Sequence, residues 1–165
     1  MNSLCSEVGY FSLNKYEEEL CGDRVEIVES PDGDSLVVVL ADGLGSGVKA
    51  NILSSLTAKI ISTMVAQQMP LEECVRAIAA TLPVCGLRGI AYSTFTILHI
   101  TDNRQAEIIQ YDNPHVILLR GGKSVNYPQT AENIDGKLIY KSKITLQEND
   151  TFIIMSDGVV HAGVG

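Results

Sequence analysis

The chain has 165 residues, 45% of them hydrophobic and 19% charged, which fits one globular domain with room for a real core. A net charge of −8 argues against nucleic acid as a partner, since that asks for a basic face; the acid excess suits plain solubility or a carboxylate-rich cation site. The longest apolar run, residues 36–41, is far too short to span a bilayer and no basic-then-apolar leader opens the chain, so a cytoplasmic protein with no membrane partner is expected.

In chain order, residues 24–30 and 35–41 read as two strands joined by the turn Pro31-Asp32-Gly33-Asp34. The loop Asp42-Gly43-Leu44-Gly45-Ser46-Gly47 follows, with Ser46 where a helix N-cap belongs. From 48 to 68, Ile52, Leu53, Leu56, Ile60, Met64 and Val65 recur at helical spacing. Beyond Pro70 the pattern resumes over 71–82 with Leu71, Cys74, Val75, Ile78 and Leu82, which predicts a helical hairpin covering one face of a sheet. A glycine-containing loop over 83–89 leads to strand-like runs at 91–101, 106–112, 115–120, 123–127, 137–146 and 151–156. Their short connections imply largely antiparallel pairing, hence an α+β fold dominated by sheet. Residues 137–146 alternate polar and apolar and should be half exposed, whereas 36–41 and 152–155 are apolar throughout and should be central. Cys5, Cys21, Cys74 and Cys85 form no C-x-x-C pair and are expected to be reduced and mostly buried.

Asp-Gly occurs at 32–33, 42–43, 135–136 and 157–158. The pairs at 32 and 135 sit among polar residues and read as turns. Asp42 and Asp157 instead end apolar strands, where a charge is costly unless it is paired or binds a cation. Asp23 precedes the first strand of the hairpin that ends at Asp42, so it can join them as a third acid. Such an all-oxygen set favours Mg²⁺ or Mn²⁺, though turn-and-cap roles remain open from spacing alone.

Named loop motifs fit poorly. Gly43, Gly45 and Gly47 give G-x-G-x-G, not a dinucleotide fingerprint, and Val48-Lys49-Ala50 after Gly47 is no Walker sequence. Ser46 lies on a strand-to-helix turn, and the order Ser46, Asp157, His161 suits a hydrolase triad, but Leu44 and Val48 replace the glycines of a nucleophile elbow. His99 and His115 read as structural, and His161 is the histidine nearest the Asp157 motif in sequence.

Together, "CGD" at 21–23, "ADGLGSGVKA" at 41–50 and "MSDGV" at 155–159 resemble the metal-dependent protein phosphatases (PPM, type 2C), in the bacterial branch typified by stage II sporulation protein E. "AEIIQYDNPHVILLRGG" is similar to the family's central hairpins, with Asn113-Pro114 in place of its usual small residues. The resemblance implies one PPM-type domain over 1–165, a largely antiparallel two-sheet β-sandwich flanked by helices. It implies two Mn²⁺ or Mg²⁺ ions, held by Asp23, by Asp42 as the bridge, by the Gly43 carbonyl and by Asp157. Those ions would activate a water that attacks phosphoserine or phosphothreonine, so no protein nucleophile is needed. The helical hairpin, from Val48 to Leu82, would be a regulatory switch, and the substrate a phosphoprotein of the anti-anti-sigma type. The family has a further acidic ligand and more helix and strand downstream, whereas this chain ends eight residues after Asp157; it is therefore expected to lack the C-terminal part of the fold. Arg24, Arg88 and Arg120 are candidate phosphate binders by charge alone, and a homo-oligomer is compatible with the sequence. The alternative is a phosphatase-like signalling module without a competent metal pair.

Overall fold

The computed structural model describes residues 4–81 and 93–163; the loop over 83–89 with Cys85 and Arg88, and Leu82, lie outside the described residues. β1 (Asp23–Glu29) and β2 (Leu36–Gly43) form the predicted hairpin, with Asp23 opposite Asp42 and Glu29 opposite Leu36. β2 then pairs with β3 (Ser93–Thr101), β3 with β4 (Gln105–Tyr111), and β4 with β8 (Lys137–Thr145), all antiparallel. β7 (Thr130–Ile134) closes this six-stranded sheet in the order β1-β2-β3-β4-β8-β7. A three-stranded sheet, β6 (Lys123–Val125), β5 (Ile117–Arg120) and β9 (Asp150–Ile153), stacks on one side in the order β6-β5-β9.

The unbroken apolar run in β2 follows from two cores. Successive side chains of a strand point to opposite faces, so Val37, Val39 and Ala41 face one layer and Leu36 and Val38 the other. On the first face lie α1 (Gly47–Ala66) and α2 (Leu71–Thr81), packing Ala58, Ile61, Val65, Cys74, Val75 and Ile78 against Phe95, Ile97, Ile109 and Ile139. Lys137 is buried, and its ammonium donates to the Ala79 carbonyl at 2.6 Å, meeting the negative end of α2. On the second face, Leu98, Ile100, Ala106 and Ile108 meet Val116 and Leu118, with Phe152 and Ile154 packed at the margin.

Three expectations change. Residues 152–155 do not form a central strand: β9 is an edge, only Phe152 and Ile154 of this stretch pack into the inter-sheet core, and Ile153 is 38% exposed. Its apolar residues face a core on one side and open surface on the other, a difference that periodicity cannot register. Of the described cysteines only Cys74 is buried; Cys5 is exposed and Cys21 intermediate, all three with free thiols. The half-exposed alternation expected over 137–146 holds only in part: Lys137 and Ile139 are buried on the helix side and Ser142 and Ile144 toward the inter-sheet core, while Leu138 is 47% exposed. No helix among the described residues is long and apolar enough to cross a membrane.

Candidate metal centre

Strand geometry places the acids. Leu36, Val38, Leu40 and Asp42 occupy alternate positions of β2, so Asp42 ends the row that faces the space between the sheets. Asp23 is its cross-strand partner on β1 and ends the row continued by Val25. The chain leaving β9 runs through Ile154 and Met155 to Ser156 and opens the short helix α3 (Asp157–Val160). The three aspartates predicted from sequence therefore gather at one end of the inter-sheet space.

Asp42 stands between Asp23 and Asp157, and both of their charges act on it. Burial, and then the charges of Asp23 and Asp157, push its carboxyl up from 3.8 to about 8. The buried Ser156 hydroxyl donates to Asp23 Oδ2 at 2.6 Å and ties the β9 exit to the β1 start. Among the described residues, no three carboxylate, imidazole or thiol groups form a ready-made ion cage. The acids instead adjoin pairwise through Asp42, a set of hard oxygens that fits Mg²⁺ or Mn²⁺ completed by carbonyls and waters.

Gly43 follows Asp42, and its N–H donates to the Gly22 carbonyl at 3.0 Å, which binds the "CGD" turn to the "ADG" strand end. A Cβ on Gly43 would fall on the Ala50 backbone, so the absence of a side chain lets α1 begin against the sheet. Gly47 opens α1 at φ +67, in the left-handed region. Ser46 occupies the N-cap position with extended backbone, but its side chain makes no capping hydrogen bond. Nor does any hydrogen bond among the described residues join Ser46 to Asp157 or His161, so the triad reading fails.

Sequence reading missed the wall facing these acids. Asp112 follows β4 with φ 51, and its carboxyl is raised by burial and by Asp157. Thr94, opposite Asp42 on β3, donates to Asn113 Oδ1 at 2.6 Å, and Asn113 Nδ2 donates to Thr96 at 3.1 Å. Gln110, almost fully buried, accepts from the Val116 N–H at 3.2 Å. These bonds hold the crossing from β4 to β5; Asn113-Pro114 was its one sequence signal.

Among the described residues, no side-chain hydrogen bond or ion pair joins the other candidates to these acids, although Arg24 lines the same cavity and the His161 N–H donates to the Asp157 carbonyl. His115 packs edge-on to Tyr140 with ring centroids 5.0 Å apart, and His99 Nε2 lies 3.3 Å from Ser35 Oγ. His161 ends α3 and is exposed. Arg24 pairs with Glu26 at 2.8 Å. Arg120 grips Asp150 through two bonds of 2.8 Å at the opposite end of β9 from Asp157, and holds that carboxyl below its ordinary range. A cavity of about 1830 Å³ opens between residues 4–22 and the sheets, with Val25, Val38 and Leu40 in its lining together with Asp23, Asp42 and Asp157.

In comparison with known proteins, the family model described as stage II sporulation protein E matches residues 32–164, beginning after Asp23. Among solved structures, RsbX in complex with magnesium superposes with a TM-score of 0.69 at 24% identity, over 90% of this chain and 72% of that one. The PP2C phosphatase domain with a fragment of the regulatory domain of SpoIIE from Bacillus subtilis gives 0.76 at 18% identity, over 92% of this chain and 45% of that one. The RsbU and RsbW domains of a Mycobacterium tuberculosis protein give 0.67 at 18% identity, over 90% and 42%. No curated protein sequence matches. The structural likenesses establish a PP2C-type fold.

Proposed function

The chain belongs to the stage II sporulation protein E family, a PPM-type phosphatase family, and from that premise we propose that it is a metal-dependent protein serine/threonine phosphatase. The observation that carries the reading is the convergence of Asp23, Asp42 and Asp157 in the lining of one cavity, with Asp42 pressed by both neighbours. Such crowding of carboxylates is relieved by a divalent cation. Asp23, Asp42, the Gly43 carbonyl and Asp157 would hold two ions. Bound Mn²⁺ or Mg²⁺ supplies Lewis acidity and an activated water. The chain's own part is positional: Ser156 orients Asp23, Gly22 fixes Gly43, and the breadth of the cavity suits a protein substrate over a small metabolite.

The substrate proposed is a small phosphoprotein of the anti-anti-sigma type. One structural neighbour carries an RsbW domain beside its RsbU domain, which supports a role in partner-switching signalling. The hairpin of α1 and α2, with Val48 at its start, is proposed as the regulatory element; Ala50, one turn into α1, lies against Gly43 beside Asp42.

The test is Mn²⁺-dependent release of phosphate from a phosphoserine protein, with Mn²⁺ binding followed by calorimetry. Asp42→Asn should abolish both, lowering turnover by more than about 100-fold, beyond what losing a mere supporting partner of a metal ligand costs. Turnover independent of metal would overturn the proposal. Absence of Mn²⁺ binding at millimolar concentration would favour the signalling module, a reading consistent with the lack of a ready-made ion cage among the described residues.

A further inference from the structure

The large sheet ends on β1, and the outer edge of that strand is unpaired. In an antiparallel pair, alternate residues turn their backbone groups to the partner. The Gly43 N–H reaches the Gly22 carbonyl at 3.0 Å and the Ser30 N–H the Ser35 carbonyl at 2.9 Å, so even-numbered residues of β1 face β2. Val25, Ile27 and Glu29 therefore turn their N–H and C=O groups outward, and among the described residues no backbone hydrogen bond takes them up. The Asp23 N–H, on the same edge, is met by the Cys21 sulfur at 3.4 Å.

The other outer strands are short: β6, β9 and β7 have three, four and five residues. β1 has seven in unbroken register, with no proline and no lysine to blunt it. Such an edge is a template for one more strand. It also leads to the acids, because β1 begins at Asp23 and its inter-sheet side carries Asp23, Val25 and Ile27 in a row. Directly opposite residues on paired strands share a face, about 5 Å apart. A segment laid along β1 thus brings one side chain beside Asp23 and alternate ones beside Val25, half-buried, and Ile27, 37% exposed.

A second copy fits this edge less well. β1 on β1 in full antiparallel register sets Asp23 against Glu29 at both ends, and like charges directly opposite destabilise. Residues 4–22 do not fill the edge either, since they make no backbone hydrogen bond to Val25, Ile27 or Glu29.

We infer, on the phosphatase reading above, that the free edge of β1 takes up an extended segment of the phosphoprotein substrate as one more antiparallel strand, with the phosphorylated residue beside Asp23. Because the added strand runs opposite to β1, the residues preceding the phosphorylated one lie along Val25 and Ile27. Aliphatic side chains are selected at the second and fourth positions before it, and their N–H and C=O groups bond to those of Val25 and Ile27.

The probe is a labelled peptide with valines at those two positions, alanines between, and a phosphonate analogue of phosphoserine that resists hydrolysis. Fluorescence anisotropy against the full chain with Mn²⁺ should give micromolar binding. N-methylation at either valine should weaken it at least about tenfold, whereas N-methylation of the alanine between them, whose N–H points away from β1, should leave it unchanged. Amide hydrogen exchange should show Val25 and Ile27 protected by the peptide. Ile27→Pro removes an outward N–H and spares the bonds to β2, so it should weaken binding to a similar extent; circular dichroism and the thermal midpoint verify its fold. No binding, or equal loss from methylation at every position, overturns the inference. So does protection of Val25 and Ile27 in the free chain that grows with protein concentration, which makes a second copy the occupant. Mn²⁺-dependent release of phosphate from the phosphoserine form of the peptide is scored separately. Turnover without the alternating pattern overturns the inference and keeps the phosphatase; the pattern without turnover supports the strand edge and counts against the phosphatase.

Discussion

Asp42 is costly to keep in the metal-free protein. Its carboxyl titrates at about 8 in the folded chain against an ordinary 3.8, so between these values the folded state holds a proton that the unfolded state has released. The contribution is fully present below about pH 4, falls as pH rises toward 8, and is flat above. Asp42→Asn removes that slope. In thermal unfolding without metal, the variant should match the native chain near pH 4 and exceed it at pH 8, while Mn²⁺ should stabilise only the native chain. Parallel pH profiles for the two would show that Asp42 is not the strained member. The three aspartates were legible because each interrupts or borders an apolar run at a strand end, where solubility gives no reason for a charge. Asp112 was not legible: it reaches Asp157 through a left-handed residue and a crossing held by Thr94, Asn113 and Gln110, none of which sequence spacing reveals.

Helix α1 sits as close to the sheet as it does because small residues line its inner face and Gly43 has no side chain. A Cβ at 43 would meet backbone, which cannot rotate away as a side-chain tip can. Gly43→Ala should therefore cost about 1–3 kcal/mol or more by overpacking, read as a lower denaturant midpoint with unchanged m-value, and should weaken Mn²⁺ binding by displacing Asp42. Wild-type stability in that variant would mean that α1 can lift without loss. The helices and the β1–β2 hairpin were readable because their periods are strong and their turns conventional. β7 was not: Thr130–Ile134 is mostly polar and gains strand form from pairing with β8. β9 was read as central because Phe152 to Met155 is uniformly apolar, yet sheet position depends on what stacks outside it.

The whole molecule is layered unevenly. The helices pack a core on one face of the large sheet, while the small sheet covers the other in part, leaving β1 and β2 to border the cavity. The acids line that cavity, whose opposite wall is the irregular segment over residues 4–22. The same layout has a consequence in time. Asp23 and Asp42 face each other across a local hairpin, but Asp157 arrives from the far end of the sequence with the second sheet. If hairpin pairing leads folding, the repulsion between the first two acids burdens the rate-limiting step and that of the third comes after it. Asp42→Asn should then speed metal-free refolding, while Asp157→Asn should slow unfolding and leave refolding unchanged in stopped-flow measurements at pH 8. Equal acceleration of refolding by both would mean that the two sheets close together. The order of strands along the chain thus fixes when the carboxylates first meet, the first two across a local hairpin and the third only once the second sheet has docked.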